Sequence, residues 1–364
     1  MGAAAGIGLL SSCGGSAAST ASFVPATQQT LAGAVPLKTA AASKNLLYGA
    51  ATMARILQSD AAFADQMALQ CGLLTPENDL KWETVEPSPG VFNFAPGDWL
   101  ADFAAQNDMK FRGHCLVWHS QLPSWAGRGK DALYELKSHI TATVEHFAGR
   151  MHSWDVVNEA VEPNDDRSDG LRNTVWLKAL GPSYIDTAFR TAAAADPKAM
   201  LVYNEYGLEG DNENSGKRRN AVLKLLSGMK SRGVPVHALG MQAHLSGSSF
   251  DSSGLASFMK QVAALGLKIL ITELDVSDQK FPADVVTRDS DVAGICHEFL
   301  SSALKQPAVE AVVTWGLSDR YTWLTQFAPR ADGKPVRPLP LDSDLKLKAA
   351  ASAILDAFNA ASPR

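Results

Sequence analysis

From residue 46 onward the chain alternates short, continuously apolar runs with longer stretches in which apolar positions recur three or four residues apart. A run of four to eight apolar residues suits a strand buried on both faces, and the wider period suits an amphipathic helix packed beside it. Strands are predicted over residues 46–52, 73–76, 110–117, 153–158, 199–204, 236–244, 268–273 and 309–315. Helices are predicted over 60–71, 132–149, 175–195, 217–232, 254–265, 292–305 and 345–360. Strands followed by helices, repeated eight times, predict an α/β fold of the (β/α)8 barrel type in a single domain.

Residues 1–42 lack this rhythm and are rich in small residues, Ser and Thr, with no acidic residue and no basic one before Lys38. They are expected to form a leader and flexible linker, with the barrel occupying 43–364. Leu10-Ser11-Ser12-Cys13 resembles the cleavage box of a lipoprotein signal, which makes Cys13 a candidate lipid anchor. A signal of that kind starts with positive charge, which residues 1–10 do not have, so a plain tether remains the alternative. The other cysteines, Cys71, Cys115 and Cys296, show no metal-binding spacing, and neither a metal nor another cofactor is expected. A net charge of −5 without a basic stripe argues against nucleic acid as a partner and fits a neutral polymer.

Candidate chemistry gathers at the ends of the predicted strands. Glu77, Asn78, Lys81 and Trp82 follow the second; His114, Trp118, His119 and Gln121 end the third; Asn158 and Glu159 end the fourth. Asn204, Glu205 and Tyr206 end the fifth, Gln242 and His244 the sixth, Glu273 and Asp275 the seventh, and Trp315, Asp319 and Trp323 the eighth. In a (β/α)8 barrel these ends meet on one rim, the face that carries function. Any one of these residues alone reads as core or solvated surface, whereas seven consecutive strand ends so equipped read as a site.

Two of them, Glu159 and Glu273, lie far apart in sequence but would meet at that rim. Retaining cleavage of a glycosidic bond needs such a pair about 5–5.5 Å apart, one protonated to assist the leaving oxygen and one ionised to attack the anomeric carbon. Sugars present hydroxyls at their edges and C–H groups on their faces. Asn, Gln, His and Lys can read the former, while Trp82, Trp118, Trp125, Trp315 and Trp323 can pack against the latter, one or two of them serving the core instead.

With these residues in view, the segments TPENDLKW (75–82), RGHCLVWHSQLPSW (112–125), WDVVNE (154–159), GMQAH (240–244), ITELD (271–275) and WGLSDRYTW (315–323) resemble those of the endo-β-1,4-xylanases of glycoside hydrolase family 10 from bacteria. The resemblance spans about residues 46–360. It implies that Glu159 is the general acid/base, that Glu273 is the nucleophile, and that Asn158 binds the 2-hydroxyl of the sugar being cleaved. It implies that Lys81, His114, Trp118, Gln121, Gln242, His244, Trp315 and Trp323 line the glycone side, that Glu77 and Asn78 hold the next sugar, and that Tyr206 faces the leaving-group sugar. His244 would hydrogen-bond Glu273 with Asp275 in support. Gln121 and Trp323 would crowd the hydroxymethyl group that glucose has and xylose lacks. The implied partners are xylan and xylo-oligosaccharides, acted on by a monomer that is exported to the periplasm, the outer membrane or the medium.

Cys115 and the run Asn204-Glu205-Tyr206-Gly207 depart from the family's usual residues. With the loop 162–172, the latter leaves the leaving-group subsites open. Two rival classes stand beside this reading: a metal-dependent enzyme on the same barrel, disfavoured by the absence of paired-histidine spacing, and a carbohydrate-binding protein without catalysis, disfavoured by the presence of both glutamates. A mixed β-1,4-glycanase remains the nearer alternative.

Overall fold

The structure is a computed structural model and describes Gly33, residues 35–247, Phe250 and residues 252–364. Its strands are β1 (Leu47–Thr52), β2 (Leu73–Pro76), β3 (Lys110–Gly113), β4 (Ser153–Asn158), β5 (Met200–Glu205), β6 (Ala238–Met241), β7 (His244–Ser246), β8 (Lys268–Ser277) and β9 (Val309–Thr314). The sheet runs β6-β5-β4-β3-β2-β1-β9-β8, and β6 pairs with β8 to close it. Every pairing is parallel, so the eight strands form the (β/α)8 barrel that the apolar rhythm predicts. Rather than adding a stave, β7 continues β6 beyond Gln242 and Ala243 and pairs with the outer half of β8 through His244↔Asp275. Ala243 turns the chain there with φ +61°.

The strands are apolar because both of their faces are covered. Val202, Ala238, Leu270 and Ala311, from β5, β6, β8 and β9, form an apolar cluster distinct from the main core, as a layer inside a closed barrel should. Outside, the helix Ser183–Ala195 buries Tyr184, Ile185, Ala188, Phe189 and Ala192, one stripe at helical spacing. Truncating Phe189 to Ala would cost about 3–5 kcal/mol. Two glycines admit what a larger residue would exclude. A Cβ on Gly113 would stand 2.1 Å from the Trp154 ring, and one on Gly240 would stand 2.2 Å from Asn204 Oδ1.

Several predicted boundaries shift for local reasons. Regular β3 ends at Gly113 instead of 117, although Leu116 and Val117 still donate to the Asp155 and Val156 carbonyls of β4. The single helix predicted over 175–195 is two, Val175–Leu180 and Ser183–Ala195, because Gly181 takes φ +67° and Pro182 follows it. The last helix starts at Ala349 rather than 345, after the turn 342–345 in which Leu345 has φ +65°.

The boundary expected between residues 42 and 43 falls too late. Residues Leu37–Ala42 form a helix that buries Leu37, Ala40 and Ala41, and the Leu37 N–H donates to Gln70 Oε1 at 3.1 Å. The folded unit therefore takes in the end of the segment read as a leader. Cys13 and the proposed cleavage box lie outside the described residues.

Candidate active site

The rim of the barrel is held together by side-chain amides. Asn158, at the end of β4, and Asn204, at the end of β5, are register partners. Asn204 Nδ2 donates both to Asn158 Oδ1 (3.0 Å) and to Glu273 Oε1 (2.7 Å), and Thr272 Oγ1 donates to Asn204 Oδ1 (2.7 Å), which fixes the orientation of the Asn204 amide. Gln242, in the break between β6 and β7, donates to Glu159 Oε1 (2.9 Å) and Asn158 Oδ1 (3.3 Å). A continuous chain of amides thus links Glu159 to Glu273. With Asn158 Oδ1 occupied by two donors, its Nδ2 makes a long contact to Glu159 Oε1 (3.4 Å) and keeps donor capacity to spare.

Glu273 is 4% exposed, and each of its oxygens is engaged. His244 Nε2 lies 3.1 Å from Oε2, while His244 Nδ1 lies 3.0 Å from Asp275 Oδ1. Trp323 Nε1 donates to the other Asp275 oxygen at 2.8 Å. Burial, the largest influence on Glu273, pushes its carboxyl up; the His244 hydrogen bond, the proximity of His114 and His244, and the Asn204 hydrogen bond outweigh it and bring the pKa down to about 2. His244 moves the opposite way. Burial lowers its pKa, but the flanking Asp275 and Glu273 raise it well above the ordinary value. At neutral pH the arrangement is an ionised Glu273 receiving one N–H bond from a protonated imidazole whose other N–H is held by Asp275.

Glu159 follows β4 with φ +57°. Its Oε2 accepts from Trp118 Nε1 at 2.9 Å, and Arg172 Nε donates to its main-chain carbonyl at 2.8 Å. His114, whose Nδ1 lies 4.0 Å from Glu273 Oε1, pairs with Asp155 (2.9 Å), which Arg112 holds from its other oxygen. Trp315 meets the His114 ring edge-on at 5.1 Å.

Lys81 anchors the next cluster. Its Nζ donates to Asn78 Oδ1 (2.9 Å) and Gln121 Oε1 (2.6 Å) and sits 5.0 Å from the centre of the Trp118 ring. Gln121 Nε2 returns to Asn78 Oδ1 at 3.1 Å. Glu77 adjoins this cluster; burial pushes its carboxyl up to about 7 against the pull of Lys81 and Arg55. A carboxyl half-protonated near neutrality can both donate to and accept from sugar hydroxyls.

On the opposite side of Glu159, Tyr206 lies under the Arg218 guanidinium at 4.2 Å, accepts from Arg172 Nη2 (2.8 Å) and donates to Glu162 Oε2 (3.0 Å). Glu205 is fully buried. It accepts from Tyr203 Oη (2.6 Å) and the Val161 N–H (3.1 Å), so it props the loop after β4 from behind instead of lining the cleft. Residues 36–357 match the family described as Glycosyl hydrolase family 10.

The chain belongs to glycosyl hydrolase family 10.

It is 37% identical over 283 residues to a β-1,4-xylanase of Dictyoglomus thermophilum, covering 74% of this chain and 77% of that protein. It is 33% identical over 338 residues to endo-1,4-β-xylanase B of Paenibacillus barcinonensis, covering 86% and 96%. Its fold matches native xylanase 10B from Thermotoga maritima with a TM-score of 0.81 at 35% identity, over 89% of this chain and 98% of that one. Xylanase 10B from Thermotoga petrophila RKU-1, solved in complex with xylobiose, gives 0.81 at 34% identity, over 89% and 97%.

In this family 10 barrel, the residues singled out from sequence as site residues gather at the strand ends. Among the five tryptophans set aside for sugar packing, Trp82 belongs to the core: it is 3% exposed and stacks at 3.7 Å on His139 and at 5.0 Å on Trp176. Asp319 is also withdrawn, bonded to the buried Lys348 Nζ at 2.9 Å. Asn204, Asp155 and Arg172 touch the site without having been assigned a part in it. A charged residue inside the apolar run Trp154–Asn158 was a signal for Asp155, since a buried charge needs a partner. Arg172 left no such trace, because its partners include main-chain oxygens.

Proposed function

We propose that the protein is an endo-1,4-β-xylanase that cleaves internal bonds of xylan with retention, using Glu159 as acid/base and Glu273 as nucleophile. The observation that carries this reading is the Asp275–His244–Glu273 relay, which keeps one buried carboxylate ionised at the end of the amide chain leading to Glu159. In the first step Glu159 gives its proton to the glycosidic oxygen as the C1–O bond breaks, and a Glu273 oxygen bonds to C1. In the second, Glu159 removes a proton from water, the water oxygen bonds to C1, and Glu273 departs as carboxylate. Asn158 Nδ2, which makes only a long contact to Glu159, has donor capacity to spare for a 2-hydroxyl contact that tightens in the transition state.

The substrate class follows from the named xylanases in the family and from the fixed walls of the site. Gln121 is tied to Lys81 and Asn78, and Trp323 is tied to Asp275, so neither yields readily to a hydroxymethyl group. Hydrolysis of xylan, carboxymethylcellulose and mixed-linkage glucan, with product sizing and proton NMR, tests the reading. Mixed xylo-oligosaccharides from xylan, with the β-anomer formed first, are expected. Preference for either glucan, xylose alone as the early product, or an initial α-anomer would contradict it.

A further inference from the structure

After Glu159 the chain leaves the barrel and returns as a narrow excursion. Val161 bridges Leu171 in antiparallel fashion, the Glu162 N–H bonds to the Gly170 carbonyl, and the Arg172 N–H bonds to the Ala160 carbonyl at 2.7 Å. The fold therefore delivers Arg172 back to the side of Glu159. There its guanidinium has three kinds of partner: Nε donates to the Glu159 carbonyl (2.8 Å), and Nη2 reaches Tyr206 Oη (2.8 Å) and Glu162 Oε2 (3.2 Å).

Glu159 occupies the left-handed region with φ +57°, which a residue with a long side chain rarely adopts and which its surroundings must impose. One side of that residue is fixed by its N–H, bonded to the Asn204 carbonyl at 2.9 Å, and the other by Arg172 on its carbonyl. The two arginines of this region differ in place. Arg218, with a side chain 2% exposed, bonds to the Val161 carbonyl, Glu162 and Glu205 behind the loop, whereas the Arg172 side chain is 17% exposed and borders the cleft.

We propose that Arg172 is a positioning residue for proton transfer by Glu159, aiming its carboxyl through the main chain and coupling that aim to Tyr206 on the leaving-group side. The inference rests on the reading of Glu159 as acid/base. A guanidinium spanning both partners can hold them in one geometry, which a single-point donor cannot. Loss of that hold should matter in proportion to how much the leaving group needs a proton.

The test compares Arg172→Gln, Arg172→Lys, Tyr206→Phe and Glu159→Gln on phenyl β-xylobioside, 2,4-dinitrophenyl β-xylobioside and xylopentaose. Arg172→Gln should lose roughly 10–100-fold in kcat/KM on the phenyl glycoside and xylopentaose while staying within about threefold on the dinitrophenyl glycoside in the glycosylation step. Arg172→Lys should fall between Arg172→Gln and the parent. Tyr206→Phe should show the same selectivity in weaker form. Because the phenyl glycoside has no sugar beyond the cleaved bond, a loss there cannot come from Tyr206 touching a sugar. Equal losses on all three substrates, or no loss in either Arg172→Gln or Tyr206→Phe, would overturn the proposal. If Glu159→Gln itself shows no dependence on leaving group, the role of Glu159 has failed; if it does and Arg172→Gln does not, the role of Arg172 alone has failed.

Discussion

His244 donates to Glu273 across 3.1 Å while its other ring nitrogen is held by Asp275 at 3.0 Å. The pair is mutually dependent: Glu273 stays ionised because His244 faces it, and His244 stays protonated because two carboxylates flank it. The pH consequences have opposite signs. Glu273 is depressed from 4.5 to about 2, so its contribution to stability is complete above the ordinary value and fades as pH falls through about 2. His244 is raised, so its contribution is present below its ordinary value of 6.5 and lost as pH climbs through the raised one. Replacing His244 by Asn should move the acid limb of kcat/KM upward, measured on an aryl xylobioside. An acid limb that does not move would show that His244 does not set the state of Glu273.

Why the barrel was legible before the structure, and parts of the rim were not, comes down to range. The strands of a barrel buried on both faces are continuous apolar runs, visible locally, and Glu159 and Glu273 stand where two such runs end. Helix Leu37–Ala42 was not legible. It has no side-chain N-cap, and its Leu37 N–H is bonded to Gln70, a partner 33 residues away, so its composition merges with the Ala-rich stretch before it. Asn204 had the residue type and strand-end position of a site residue, but its contact to Glu273 crosses 69 residues and exists only once the barrel closes.

That helix carries a prediction of its own. Measured against a chain starting at Val35, deletion through Ala42 should lower Tm by several degrees, because burying Leu37 alone is worth about 1.5–3 kcal/mol. An unchanged Tm would mean that the helix packs without stabilising.

The walls proposed to exclude a hydroxymethyl group can be loosened. Trp323→Ala should raise the ratio of aryl cellobioside to aryl xylobioside hydrolysis by at least roughly tenfold, even as total activity falls. A ratio that stays constant would remove Trp323 from specificity and leave it as the anchor of Asp275.

The two carboxylates should fail differently. Glu159→Ala should lose roughly a thousandfold on xylan, yet turn over 2,4-dinitrophenyl xylobioside, and added azide should restore it with a β-xylobiosyl azide as product. Without azide capture, Glu159 would not be the group that activates water.

The most direct measurement is the identity of the residue that becomes bonded to the sugar. Incubation with 2,4-dinitrophenyl 2-deoxy-2-fluoro-β-xylobioside slows the second step more than the first, so the glycosyl-enzyme accumulates and peptide mass mapping can locate it. The label is expected on Glu273, within the peptide containing Ile271–Asp275, and its attachment should be absent in Glu273→Gln. Label on Glu159 or elsewhere, or no covalent adduct while hydrolysis proceeds, would contradict the double displacement and the assignment of both glutamates.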